Sequence, residues 1–150
     1  TLMNNIKFFN KISDEKVFLA VREVGLEDFI NKFPATYNYH IGERGSGLSA
    51  GEKQLVSFLR TYLLNPACLI LDEATSSMDP FTENLIQVAI KNITKSRTSI
   101  IIAHRLSTVK HADKIIVLED GNIVEYGNHN TLLKLNGKYS NYYQQQFVGY

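Results

Sequence analysis

The sequence predicts an α/β fold built on a mainly parallel sheet, and two observations carry that prediction. Two short apolar runs, "ACLILDE" at 67–73 and "TSIIIAH" at 98–104, have the unbroken hydrophobicity of strands covered on both faces. Between them lies "FTENLIQVAIKNI" at 81–93, an amphipathic stretch of the length a crossover helix needs. In such sheets the chemistry lies beyond the carboxyl ends of the strands.

The first 40 residues read as helical. Ser13 caps "DEKVFLAVREV", Gly25 ends it, and Pro34 closes a shorter piece, "LEDFINKF". Val17, Phe18, Val21 and Val24 recur at helical spacing, as core contacts do. "EKQLVSFLRTYLL" carries Leu55, Phe58, Leu59, Tyr62 and Leu63 on one face, with Lys53 and Arg60 away from its centre, and Asn65 and Pro66 stop it. Asp79 caps the crossover helix and Pro80 takes its first position. In "KIIVLEDGNIVEYG" Asp120 and Gly121 separate two β-rich runs, a two-residue hairpin signal. The end of the chain reads as a short helix, a break at Gly137 and a polar terminal helix.

Charge narrows the function classes. Sixteen basic and fifteen acidic residues leave a net charge of +1, so no broad basic field exists and no nucleic-acid partner is expected. The one cysteine, Cys68, cannot bridge within the chain; set in an apolar run, it reads as a small packed hydrophobe in a reducing setting. The longest aliphatic runs fall far short of the ~20 apolar residues that cross a bilayer.

The stretch "IGERGSGLSAGEKQ" at 41–54 half fits two phosphate-loop templates. Gly42 and Gly47 have P-loop spacing, but Leu48 and Ser49 stand where Lys and Ser or Thr are required. Gly45, Gly47 and Ala50 satisfy G-x-G-x-x-A, yet no apolar strand precedes them. Ser49 and Glu52 instead form an S-x-x-E capping box for a helix beginning near Glu52. A capped helix start behind glycines also presents N–H groups and a positive dipole end to an anion. At the strand ends, Asp72 and Glu73 can respectively hold Mg²⁺ through water and orient or deprotonate an attacking water. His104 ends the second strand in line with them; His104, His111 and His129 lack the close ligand pairs of a zinc site.

These residues resemble one family. "LSAGE" at 48–52 is similar to the signature motif of ATP-binding cassette (ABC) proteins, usually LSGGQ. "LILDEATSSMD" at 69–79 looks like their Walker B strand and D-loop, and "AHRLSTV" at 103–109 like their switch-histidine loop. "GERGSG" before the signature and "ADKIIVLEDGNIVEYGNH" after the switch point to exporter-type cassettes of the multidrug and lipid kind. The resemblance runs over essentially the whole chain and implies a P-loop NTPase-like fold. About residues 1–65 would form a helical subdomain with the signature loop, and about 66–150 part of the α/β core with its hairpin and final helices.

Carried over, it implies Glu73 and His104 as catalytic residues and Asp72 as the Mg²⁺ residue. Ser49, Ala50, Gly51 and Glu52 become nucleotide contacts, and Ser76, Ser77, Met78 and Asp79 the D-loop at a junction with a second cassette. Glu43 becomes a contact toward transmembrane coupling helices. The cofactors are ATP and Mg²⁺; the partners are a second nucleotide-binding domain and a transmembrane domain, at the cytoplasmic face of the membrane. Ala50 replaces Gly and Glu52 replaces Gln in the signature, and G-x-x-x-x-G-K-[ST] occurs nowhere. The sequence therefore reads as the carboxyl-terminal part of a cassette, without Walker A and inactive alone, starting in the helical subdomain just after the glutamine loop. The alternatives are a soluble ABC-type ATPase of DNA repair or translation and a nucleotide-free interaction module.

Overall fold

A computed structural model describes residues 1–72, 78–95, 97–103 and 106–148. The chain forms two compact units, one of residues 1–71 and 75–100, the other of 72–74 and 101–150.

The first unit is organised by helix packing. Helices α1 (Leu2–Lys7), α2 (Asp14–Val24) and α3 (Glu27–Asn31) lead to α4 (Ala50–Leu64), and α5 (Pro80–Thr94) follows. Each boundary has a local cause. Ser13 accepts the Lys16 N–H at the start of α2, and Gly25, at φ 81°, ends that helix in the left-handed region. Asp79 caps α5 by accepting the Thr82 N–H at 2.9 Å, with Pro80 in the first turn. The apolar face of α4 buries Leu55, Phe58 and Leu59 as its periodicity predicts, and packs on α1, α2 and α5. Arg60 is held rather than free: its Nε donates to the Asn5 carbonyl at 2.6 Å and its guanidinium lies 4.6 Å from the Phe8 ring centre.

Strands β1 (Cys68–Asp72) and β2 (Thr98–Ile102) pair in a small parallel sheet, as the crossover helix requires. One expectation is corrected here. The strands are not covered on both faces: Leu69 and Leu71 are buried, but Ile70 is 67% exposed and Ile100 and Ile102 are exposed as well. Cys68 likewise lies on the exposed face and does not pack as a core residue. Apolar composition makes a strand suitable for cover on both faces, but the cover must come from another element, and among the described residues none lies over this face.

In the second unit α6 (Leu106–Val109) precedes an antiparallel hairpin of β3 (Ile115–Glu119) and β4 (Asn122–Gly127). Asp120 at φ 49° and Gly121 at φ 77° make the predicted turn, both in the left-handed region that such a turn needs. Helices α7 (His129–Lys134) and α8 (Lys138–Val148) close this unit, separated at Gly137 as read from the sequence. Ile115 and Val117 pack with Leu132 and Tyr139. The α8 start is capped from a distance, because Glu125 of β4 accepts the N–H groups of Lys138 and Tyr139. Among the described residues no helix is long and apolar enough to cross a membrane.

The cap on α5 makes stability depend on pH. The Thr82 side chain first, and the Thr82 N–H second, hold the Asp79 carboxyl below its ordinary 3.8. A depressed folded value gives stability that is present above 3.8 and lost as pH falls through the folded pKa. Asp79→Asn keeps a cap acceptor but has no charge to titrate. The melting-temperature advantage of wild type over this variant is therefore expected to be largest near neutral pH and to shrink below 3.8; an unchanged gap at acid pH would contradict the assignment.

Candidate functional site

The candidate site is built at the first turn of α4. Upstream, Gly42, Arg44 and Gly45 all have positive φ, so the chain turns sharply before Leu48, whose buried side chain anchors the entry to the helix. Ser49 then caps: its Oγ accepts the Glu52 N–H at 3.3 Å, while Glu52 Oε2 accepts the Ser49 N–H at 2.7 Å. This is the reciprocal box expected from S-x-x-E, and the helix begins at Ala50, two residues before the position read from sequence. Ser49 and Ala50 are exposed, whereas Gly51 and Glu52 are buried. The second carboxylate oxygen of Glu52 forms an ion pair with Lys32, the residue that ends α3.

Positions 50 and 51 have opposite constraints. The Ala50 methyl stands at the exposed surface, so the departure from glycine there meets no steric obstacle. At Gly51 a Cβ would lie 2.5 Å from Thr82 Cγ2 and 3.0 Å from Met78 Sδ. Thr82 is buried and β-branched, with little freedom to move aside. The start of α4 and the start of α5 are thus in direct contact, joined where only glycine fits.

Of the residues expected from the sequence, the structure therefore brings Ser49, Ala50, Gly51 and Glu52 together with Met78 and Asp79. Asp72 ends β1 with an exposed side chain, the geometry of a carboxylate open to solvent cations. Glu43 is exposed in the single turn Glu43–Gly45. Glu73, Ser76, Ser77 and His104 lie outside the described residues. Two residues that touch the signature-like turn escaped the sequence reading. Lys32 is twenty positions from its partner, with no local signal to connect them. Thr82 has a weak signal, being the third residue after a predicted cap. The cleft of about 390 Å³ lined by Glu23, Tyr62, Asn92, Lys95 and Arg97 contains none of these residues and involves the opposite end of α4.

The family model described as ABC transporter matches residues 1–76. The chain is 48% identical over 98% of its length to a Bacillus subtilis protein named uncharacterized ABC transporter ATP-binding protein YknV, of which it covers 24%. It is also 48% identical over 97% of its length to ABC transporter B family member 6 of Dictyostelium discoideum, covering 22% of that protein. A solved bacterial Atm1-family ABC exporter with ATP bound superposes with a TM-score of 0.80 at 39% identity, over 97% of this chain and 26% of that one. The chain thus spans about a quarter of the length of these relatives. With the family match extending over half of its residues and the signature-like turn folded as a capped helix start, this chain belongs to the ABC transporter family.

Proposed function

We propose that this chain forms the signature-bearing part of an ATP-hydrolysing domain in an ABC exporter, acting in an ATP-dependent dimer of cassettes that drives an attached transmembrane domain at the cytoplasmic face of the membrane. The observation that carries this reading is the open first turn of α4. Ser49 Oγ accepts from Glu52, which leaves its own hydroxyl hydrogen to donate outward. The N–H groups of Ala50 and Gly51 belong to the first turn and so lie outside the helix ladder. The exposed Ala50 side chain is small, and the positive end of the α4 dipole points the same way. This combination suits the terminal phosphate of a nucleotide held mainly by another cassette.

The remaining roles follow the family pattern. Asp72, an exposed carboxylate at a strand end, has the hard oxygen donors that Mg²⁺ takes, usually through water. When bound, that ion would neutralise phosphate charge. Glu73 orients and deprotonates the attacking water, and His104 contacts the γ-phosphate. Ser76, Ser77, Met78 and Asp79 form the junction between cassettes, and Glu43 faces the transmembrane coupling helices. The superposition on an ATP-bound exporter supports this assignment, as does contact between Gly51 and Met78, which couples the signature turn to the junction loop. The 150 residues contain no G-x-x-x-x-G-K-[ST], so most of the ATP must be held outside this chain.

Three outcomes are expected. In the full protein that carries this chain, Glu73→Gln should lower ATP turnover by roughly 10²- to 10⁴-fold, the usual cost of losing a general base, and should leave a persistent ATP-bound dimer on gel filtration. Fast turnover by that variant would remove Glu73 as the base. The 150-residue chain alone should hydrolyse no ATP; a rate abolished by Glu73→Gln in that same chain would contradict the reading. Gly51→Ala should cost about 1–3 kcal/mol in urea unfolding, because Thr82 and Met78 leave no room for a methyl group. An unchanged midpoint would mean that the α4–α5 contact yields freely.

A further inference from the structure

We propose that Lys32 is a positioning residue for the signature turn, its charge making Glu52 compatible with a phosphate bound at Ser49–Gly51; the inference rests on the nucleotide reading given above. The signature of the family has Gln where this chain has Glu52. A carboxylate in the first turn of α4 opposes the positive end of the helix dipole for any anion approaching from outside, and repels that anion directly. Glu52 is only 8% exposed, so water and salt screen this effect poorly.

Two bonds offset it. Oε2 accepts the Ser49 N–H, a bond the carbonyl oxygen of Gln could equally accept. Oε1 is ion-paired with the Lys32 ammonium, which reaches the turn from the end of α3 with its Nζ 5.4 Å from the Phe33 ring centre. The pair carries no net charge. Glu52 and Lys32 together therefore reproduce both properties of a glutamine: an acceptor for the cap and neutrality toward the phosphate. Lys32 acts through Glu52 and needs no contact with nucleotide.

The consequence is conditional: position 32 requires a cation only while position 52 is an acid. The test compares ATP hydrolysis by the full protein in wild type, Lys32→Gln, Lys32→Arg and the double variant Lys32→Gln/Glu52→Gln, with Glu73→Gln as baseline and melting temperature followed for each. Lys32→Gln is expected to raise the KM for ATP by roughly two- to fivefold, the span of one charge at a helix terminus, with a smaller effect on kcat. Lys32→Arg should hold KM near the wild-type value. Adding Glu52→Gln to Lys32→Gln should bring the raised KM back down, a rescue that a purely structural lysine does not give. An unmoved KM in Lys32→Gln, or an equal rise in single and double variants, overturns the proposal. A wild-type rate no higher than that of Glu73→Gln overturns the nucleotide reading itself, and this inference with it.

Discussion

The first unit depends on one constraint: the N-terminal turn of α4 must be fixed in place and yet remain open. Two kinds of interaction divide that task. Leu55 and Leu59 are fully buried against neighbouring helices, and each contributes about 1.5–3 kcal/mol by leaving water. A cap such as Ser49 contributes about 1 kcal/mol. Packing therefore sets where the helix axis lies, while the cap sets where the helix begins. Because the box uses the Ser49 and Glu52 N–H groups, it leaves those of Ala50 and Gly51 for an outside acceptor. The structural role and the proposed binding role therefore use different groups of this turn.

The same turn shows why a largely buried carboxylate, Glu52, is paired with a lysine that remains partly exposed. Taking a carboxylate out of water is costly, and a pair seldom repays all of that cost. Replacing it by neutral groups of similar shape is often harmless to stability. Lys32 and Glu52 are thus weakly explained as a source of stability and better explained as a way of keeping an acidic side chain next to a helix start without giving that start a net negative charge.

What was legible in the sequence was local. The caps at Ser13, Ser49 and Asp79, the Asp120–Gly121 turn and the break at Gly137 each arise from residues within a few positions of one another, and all are present. The signature resemblance was legible because its residues lie in one turn. What was not legible was supplied by distant partners. Glu125 caps a helix that begins thirteen residues later, and Lys32 reaches Glu52 from another helix. The apolar runs of β1 and β2 were misread for a related reason: composition records what a strand tolerates on each face, while exposure of Ile70 and Cys68 depends on which other elements are present.

Gly51 connects these two levels. The glycine at position 51, in the first turn of α4, has a cause outside the helix. Thr82 and Met78 supply it, because their side chains occupy the space that a Cβ at position 51 would need. Thr82 is also the residue whose N–H binds the Asp79 cap. One chain of contacts therefore runs from the α5 cap, through Thr82, to the backbone of the signature-like turn. Thr82 thus serves two contacts at once, its N–H on the Asp79 cap and its Cγ2 against the Gly51 backbone. Among the described residues, Met78 and Thr82 are thus packed on the turn that opens α4, although Thr82 lies thirty-one residues after Gly51.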